Sequence, residues 1–451
     1  HLLPRHHLAR AARRRASRGL LRFVRRARPD HDDRRPGVRE HQHGAEPDAH
    51  QGHSAAAGEQ RRFVPAHQPA RDGHAAQHLA ARVGRRMMRV LIAGGGTGGH
   101  LYPGLAVAAE LRARVPESEV TFVGTAAGIE ARVVPREGYP LELIRSGGLK
   151  GKSIGALVRG LALLPLSAWD AWSVLRRRRP ALVLGVGGYS SGPVVALAAL
   201  RGVPTMLLEQ NAVPGLTNRL LAKLVTAAAV TYDESLRWFG GRAFVSGNPV
   251  RPQFARRAEP AGETGHEGRP VRVLVFGGSQ GAHAINEAMS AAAPALAASG
   301  AQVVHQTGPR EVDAVRDAYR QAGLPATVEA FFFDMDQQMA AADLAVCRAG
   351  ATTLAELAMA QLPAVLIPLP TATDDHQRWN ALAFVNKGAA VLVEQRELTG
   401  ERLAAEILAL AGDAPRRARM RTALAGCARP DAARLIVDRS LALAGVTKGA
   451  A

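Results

Sequence analysis

Three glycine-rich segments punctuate the chain, each beginning where a short apolar run ends: Gly94-Gly95-Gly96-Thr97-Gly98-Gly99-His100, Gly185-Val186-Gly187-Gly188-Tyr189-Ser190-Ser191-Gly192-Pro193 and Gly277-Gly278-Ser279-Gln280-Gly281-Ala282. A strand that runs through glycine into a helix leaves unpaired main-chain N–H groups aimed at an anion. The first and third segments lead clearly into helical patterns. Two such turns in separate halves imply two Rossmann-like units with a cleft between them. The apolar runs are short and strand-like: 89–93, 120–123, 181–184, 205–208 and 227–230 in the first half. After a Gly-Asn-Pro turn at 247–249 and a polar stretch at 258–270 come 271–276, 302–305, 344–347 and 364–367. Ala/Leu-rich stretches separate them, beginning with a helix expected over 103–111. Alternation of this kind predicts an α/β fold, a doubly wound parallel sheet formed twice.

A length of 451 residues accommodates two or three domains. Two cysteines, Cys347 and Cys427, make neither a disulfide framework nor a metal-ligand cluster, which fits a reducing, cytoplasmic setting. No segment reads as a signal peptide, and no uninterrupted apolar run reaches the roughly 18 residues of a spanning helix. The net charge of +19 is concentrated: residues 1–87 hold 19 Arg, no Lys and 8 acids, together with 11 of the 16 His. This extension reads either as a basic arm for nucleic acid or anionic membrane, or as upstream DNA translated ahead of a start at Met87 or Met88. The strand pattern begins directly after those methionines and favours the second reading. A chain starting at Met88 is therefore expected to keep full activity, and loss of activity in it would refute that reading.

The first glycine segment is not the spaced G-x-G-x-x-G of a dinucleotide site, and no acid follows the second strand at 122–125 to hold a ribose. His100 lies where that segment meets its helix. A helix N-terminus favours neutral imidazole, which can accept a proton; a plain capping role is the alternative. In the second half, 348–356 reads as a small-residue turn with Thr352 or Thr353 as N-cap and Glu356 within about the first helical turn. Main-chain N–H groups there suit a diphosphate, and a carboxylate can accept both hydroxyls of a ribose. A Glu near a helix start is also favoured by about 0.3–1 kcal/mol through the dipole alone. The pair Asp334 and Asp336 is spaced like a metal motif but is expected to cap a helix.

Taken together, 94–100 with Tyr102 and Pro103, 187–193, 209–218, 247–251, 277–282, 347–350 and 376–381 resemble, in order, the MurG family of peptidoglycan glycosyltransferases, over residues 88 to about 445. The resemblance implies a GT-B architecture: an extension at 1–87, an acceptor and membrane-binding domain at 88–249, a UDP-N-acetylglucosamine domain at 250–430, and a C-terminal helix within 431–451 packing back on the first domain. It implies an inverting hexosyltransferase that moves N-acetylglucosamine from its UDP donor to the 4-hydroxyl of undecaprenyl-pyrophosphoryl-N-acetylmuramoyl-pentapeptide (lipid I), giving lipid II. His100 would be the general base. Donor contacts would come from Thr97, Gly98, Gly99, Asn211, Arg251 and Ser279, from Phe332 beside the uracil, from the turn Ala351, Thr352, Thr353, Leu354, Ala355 and Glu356, and from His376 and Gln377 at the sugar. Gly187, Gly188, Tyr189 and Ser190 would face the acceptor. Three positions depart from the family's habit: Ala349 for Ser, Thr352 for Leu, and His376 where some members have Gln.

No cofactor, metal or nucleic acid is implied. The implied partners are UDP-N-acetylglucosamine, lipid I, an anionic membrane surface and, where present, other cell-wall assembly proteins. The implied location is peripheral, on the cytoplasmic face of the bacterial membrane. Between Lys150 and Arg179 the apolar residues Ile154, Leu157, Leu161, Leu163, Leu164, Trp169 and Trp172 lie among cations, which suits an interfacial patch, core packing being the alternative. A diacylglycerol-using glycolipid synthase and a UDP-N-acetylglucosamine 2-epimerase are the rival enzyme classes.

Overall fold

A computed structural model describes residues 87–147, 154–255, 269–278 and 281–446, with the side chains of 154–162 and 255 excepted. Strands β1 (Arg89–Gly94), β2 (Glu119–Gly124), β3 (Leu141–Leu143), β4 (Leu182–Gly187), β5 (Thr205–Glu209), β6 (Ala227–Val230) and β7 (Ala243–Val245) form one sheet in the order β3-β2-β1-β4-β5-β6-β7. Strands β8 (Arg272–Phe276), β9 (Gln302–Gln306), β10 (Ala326–Glu329), β11 (Leu344–Cys347), β12 (Ala364–Leu366) and β13 (Ala390–Leu392) form a second, in the order β10-β9-β8-β11-β12-β13. Every pairing is parallel. The expected architecture, two doubly wound sheets, is the one observed.

The central strands are apolar without alternation because helices cover both faces. In β1, Val90 and Ile92 join one core with Leu182, Leu184 and Met206, while Leu91 and Ala93 join the opposite core with Val183 and Leu207. The second sheet repeats this division: Leu274 and Phe276 pack on one side, Val273 and Val275 on the other.

Seven helices bear on the site and its setting: α1 (Gly98–Arg114), α2 (Glu130–Arg136), α3 (Ile154–Arg178), α4 (Ser191–Leu200), α5 (Ala351–Ala360), α6 (His376–Val385) and α7 (Ala432–Leu443). Helix α1 begins five residues before the expected start at Pro103. Gly98 and Gly99 belong to its first turn, so the glycines that signal a break in sequence are already helical here. Helix α7 packs Ile436, Val437 and Leu441 into the core that holds Val107 and Leu111 of α1, and Arg114 Nη2 donates to Asp438 Oδ1 at 2.7 Å. Among the described residues no helix is long and apolar enough to cross a membrane.

Strand order reverses between β1 and β4 in the first sheet and between β8 and β11 in the second. Ligands of open α/β sheets bind at the carboxyl ends of strands where this reversal opens a crevice. The first two glycine segments, Gly277 and Gly278 of the third, and the turn at 348–350 lie at those two points.

Candidate functional site

The first two glycine segments form a single interlocked structure. After a shift in register at Ala93, Gly94 pairs with Gly187 across β1 and β4, and Gly95 N–H donates to Gly187 O at 3.3 Å. Gly187 and Gly188 have φ of +95° and +81°, and a Cβ on Gly188 would stand 2.5 Å from Gly95 O. Gly188→Ala combines that collision with left-handed strain and should cost about 2–3 kcal/mol. Gly202→Ala, at φ +70° with open space around it, should cost about 1 kcal/mol. Equal losses of thermal stability in the two variants would contradict the close approach. The buried carboxylate of Glu130 on α2 holds the first segment from behind, accepting from Gly96 N at 2.7 Å and from Thr125 N and Oγ1 at 2.9 and 3.0 Å.

His100 is the third residue of α1, partly open to the cleft, with Thr97 and Gly99 exposed beside it. Its Nδ1 lies 3.2 Å from Gln210 Oε1. A Cβ on Gly187 would come within 2.8 Å of the same nitrogen, so this neighbour must be glycine. Burial holds the imidazole below its ordinary pKa, the Gln210 contact opposes this, and the nearby charge of His376 deepens it. Tyr189 is exposed and its carbonyl accepts from Ser146 Oγ at 2.9 Å, while Ser190 is buried at the N-cap of α4.

In the second half, α5 starts at Ala351 with Gly350 as N-cap, which corrects the expectation of Thr352 or Thr353. Glu356 therefore lies in the second turn, where dipole stabilisation has faded. The N–H groups of Ala351, Thr352 and Thr353 precede the first intrahelical bond, which Leu354 N–H makes to Gly350 O at 3.0 Å. Leu354 is a core residue and Ala355 packs against that core, so these two shape the turn through their packing. Two expected donor contacts are paired with each other: Arg251 Nε and Nη2 donate to Glu356 Oε1 at 3.1 and 2.9 Å. The guanidinium carbon also lies over the ring of Tyr102 at 5.2 Å and over that of Phe254 at 4.8 Å.

The two halves meet through polar contacts. Pro103 has no N–H, so the carbonyl of Gly99 lacks its usual partner four residues on; Thr352 Oγ1 donates to it at 3.2 Å. Asn380 of α6, fully buried, donates through Nδ2 to Asn211 Oδ1 at 3.1 Å and accepts from Ala212 N at 2.9 Å. Asn211 Nδ2 donates to Glu209 Oε1 at 3.2 Å, so the amide expected on the donor is engaged at both ends. Before α6, Asp374 and Asp375 both adopt left-handed backbone, at φ 55° and 52°; strain of this kind persists where surrounding structure enforces it. His376 follows, with Nδ1 donating to Thr373 O at 2.7 Å, and Gln377 Oε1 accepts from Leu369 N at 3.0 Å.

Phe332, expected beside the uracil, has its ring buried in the core, and its N–H donates to Gln306 Oε1 at 2.9 Å. Ser279 lies outside the described residues. Asp334 occupies an N-cap position as expected, yet its carboxylate accepts from Gln338 Nε2 at 2.8 Å and caps no N–H.

Four structural residues of the site escaped the sequence reading. Glu130 carries no motif. Gln210 lies inside a recognised segment without being singled out, and Asn380 inside another. Gln306 ends β9 and joins the third glycine segment to Phe332, donating to Gly278 O at 3.1 Å. A buried amide or carboxylate of this kind is recognisable only when its distant partners, here as far as 24 to 169 residues away, are known.

Residues 90–230 match the glycosyltransferase family 28 N-terminal domain, and 272–436 match the glycosyltransferase family 28 C-terminal domain. The UDP-N-acetylglucosamine--N-acetylmuramyl-(pentapeptide) pyrophosphoryl-undecaprenol N-acetylglucosamine transferase of Anaeromyxobacter dehalogenans (strain 2CP-1) is 48% identical over 354 residues, covering 78% of this chain and 92% of the relative. The protein of the same name from Myxococcus xanthus is 46% identical over 355 residues, with the same two coverages of 78% and 92%. The crystal structure of Acinetobacter baumannii MurG superposes with a TM-score of 0.65 at 29% identity, covering 79% of this chain and 99% of that one. With its two GT-B sheets and both family 28 domains, the chain belongs to the MurG family of glycosyltransferases.

Proposed function

We propose that this chain transfers N-acetylglucosamine from UDP-N-acetylglucosamine to lipid I, forming lipid II by a single inverting displacement. The observation that carries this reading is His100 at the start of α1, its Nδ1 3.2 Å from Gln210 Oε1 and its pKa lowered by burial and by the charge of His376 at the start of α6. Converting an α-linked UDP sugar to a β-1,4 glycoside requires the acceptor 4-hydroxyl to attack the anomeric carbon from the face opposite UDP. His100 takes the hydroxyl proton. The N–H groups of Ala351, Thr352 and Thr353 and the cation of Arg251 offset the charge that develops on departing UDP. Glu356 accepts from the ribose hydroxyls, the Phe332 carbonyl accepts from the base, and His376 and Gln377 face the sugar. Gly187, Gly188, Tyr189 and Ser190 line the acceptor side, and Thr97, Gly98 and Gly99 lie between the two ligands. The test is transfer of label from UDP-N-acetylglucosamine to a lipid I analogue and, separately, to diacylglycerol. Product with lipid I alone supports the reading; product with diacylglycerol alone, or with neither, defeats it.

A polyprenyl acceptor also calls for contact with the membrane, and α3 supplies a suitable surface. Leu164, Leu166 and Trp169 are exposed, Trp169 to 64%, and Trp169 stacks near Trp172 with ring centroids 5.3 Å apart. Arg176 lies over Trp172 at 5.3 Å, placing a cation beside the apolar surface, and Arg145 holds α3 through a bidentate pair with Asp170 at 2.9 and 2.6 Å. Ile154, Leu157 and Leu161 lie outside the described side chains. Trp169→Ser is expected to reduce co-sedimentation of the full chain with anionic vesicles by about tenfold. Unchanged binding would remove this face from the membrane contact.

A further inference from the structure

Gln210 follows the last residue of β5 and is buried, with its amide between two groups of the acceptor half. Its side chain contacts Val186 O at 3.1 Å on one side and His100 Nδ1 at 3.2 Å on the other. A carbonyl oxygen can only accept, so the amide nitrogen must face Val186. The amide oxygen then faces His100, and since it too can only accept, Nδ1 must carry the imidazole proton. Nε2 has no hydrogen-bond partner among the described residues.

We infer that Gln210 is a positioning residue that locks His100 in its Nδ1–H tautomer and thereby presents the unprotonated Nε2 to the acceptor hydroxyl. The inference rests on the reading of His100 as general base, and it explains why an amide stands here. A carboxylate at this position would orient the ring equally well but would stabilise the imidazolium, leaving less free base at neutral pH. A carboxylate is close by in sequence, yet it is directed elsewhere: Glu209 accepts from Asn211 N, Gly215 N and Asn218 Nδ2 at 2.9, 3.1 and 2.8 Å. His376 is the other titratable group acting on the His100 ring, and its charge also favours the neutral form.

The test uses the full chain labelled with ¹⁵N-histidine, the His100 signals being assigned by difference from His100→Gln. Wild-type protein should show a protonated Nδ1 and a bare Nε2. Gln210→Leu should shift the population toward Nε2–H and lower kcat by about 10- to 100-fold, with KM for UDP-N-acetylglucosamine changed less than about twofold. Gln210→Glu should keep Nδ1 protonated but move the acidic limb of the kcat profile upward by about one pH unit. An unchanged tautomer in Gln210→Leu overturns the inference. A changed tautomer with unchanged kcat overturns its catalytic half by removing His100 from the base role. Should Gln210→Leu not fold, an unmoved acidic limb in Gln210→Glu overturns the inference on its own.

Discussion

Replacing His100 with Ala is expected to lower kcat for lipid I glycosylation by about 10²–10⁴-fold, while the affinity for UDP-N-acetylglucosamine changes less than about threefold. The loss corresponds to about 3–5 kcal/mol of transition-state stabilisation. The asymmetry follows from position: His100 lies in the first turn of α1 at the switch point of the first sheet, and the groups proposed to contact the donor are mainly in the half built on the second sheet. Steady-state kinetics with a separate donor titration measures both quantities, and an unchanged kcat removes His100 from the mechanism. The pH profile supplies an independent sign. A base works when deprotonated, and burial holds this imidazole below its ordinary pKa, so the acidic limb of kcat should fall below pH 6.5. A limb at or above that value would mean that the enclosed, neutral environment of the ring is absent during turnover.

The second large effect is expected at Glu356. This carboxylate is buried and receives both contacts from Arg251. Removing one partner of a buried pair leaves the other charge uncompensated, at a cost of about 3–5 kcal/mol when both are fully buried. Arg251 retains partial solvent access and two aromatic faces, so Glu356→Ala is expected to cost about 2–3 kcal/mol of stability. The same variant should weaken UDP-N-acetylglucosamine binding by at least about 30-fold through loss of the proposed ribose hydrogen bonds. Glu356→Gln keeps volume and an acceptor for Arg251; it should recover much of the stability and little of the donor affinity. Calorimetric titration and thermal unfolding separate the two effects. Wild-type affinity in Glu356→Gln would assign Glu356 to holding Arg251 alone.

The strands that the sequence pattern misses are β3, β7, β10 and β13, and these are the edges of the two sheets. Edge strands here are three or four residues long; β3, β7 and β10 are incompletely buried, and β13 begins buried and ends half-buried. A strand covered on both faces must be apolar along its length, as Leu182–Gly187 is, and so declares itself. An edge strand has no such requirement, and in Ala326–Glu329 only Val328 is buried, too little to mark the segment as a strand. The same physics governs the site. Gly94–Gly96 and Gly187–Gly188 are visible because positive φ and backbone contact exclude other residues, which leaves a local mark on composition.

What the amino-acid sequence determined by itself was the pair of parallel sheets, the glycine turns at their switch points, and the prominence of His100. Each depends on local backbone geometry or on continuous burial, and both restrict residue type position by position. What only the tertiary structure decided was the pairing of polar groups distant in sequence: Glu130 behind Gly96, Gln210 on His100, Thr352 on the carbonyl that Pro103 leaves free, Asn380 on Asn211, and Arg251 on Glu356. A hydrogen bond specifies its partner by position in space, and many polar residues satisfy the same local pattern.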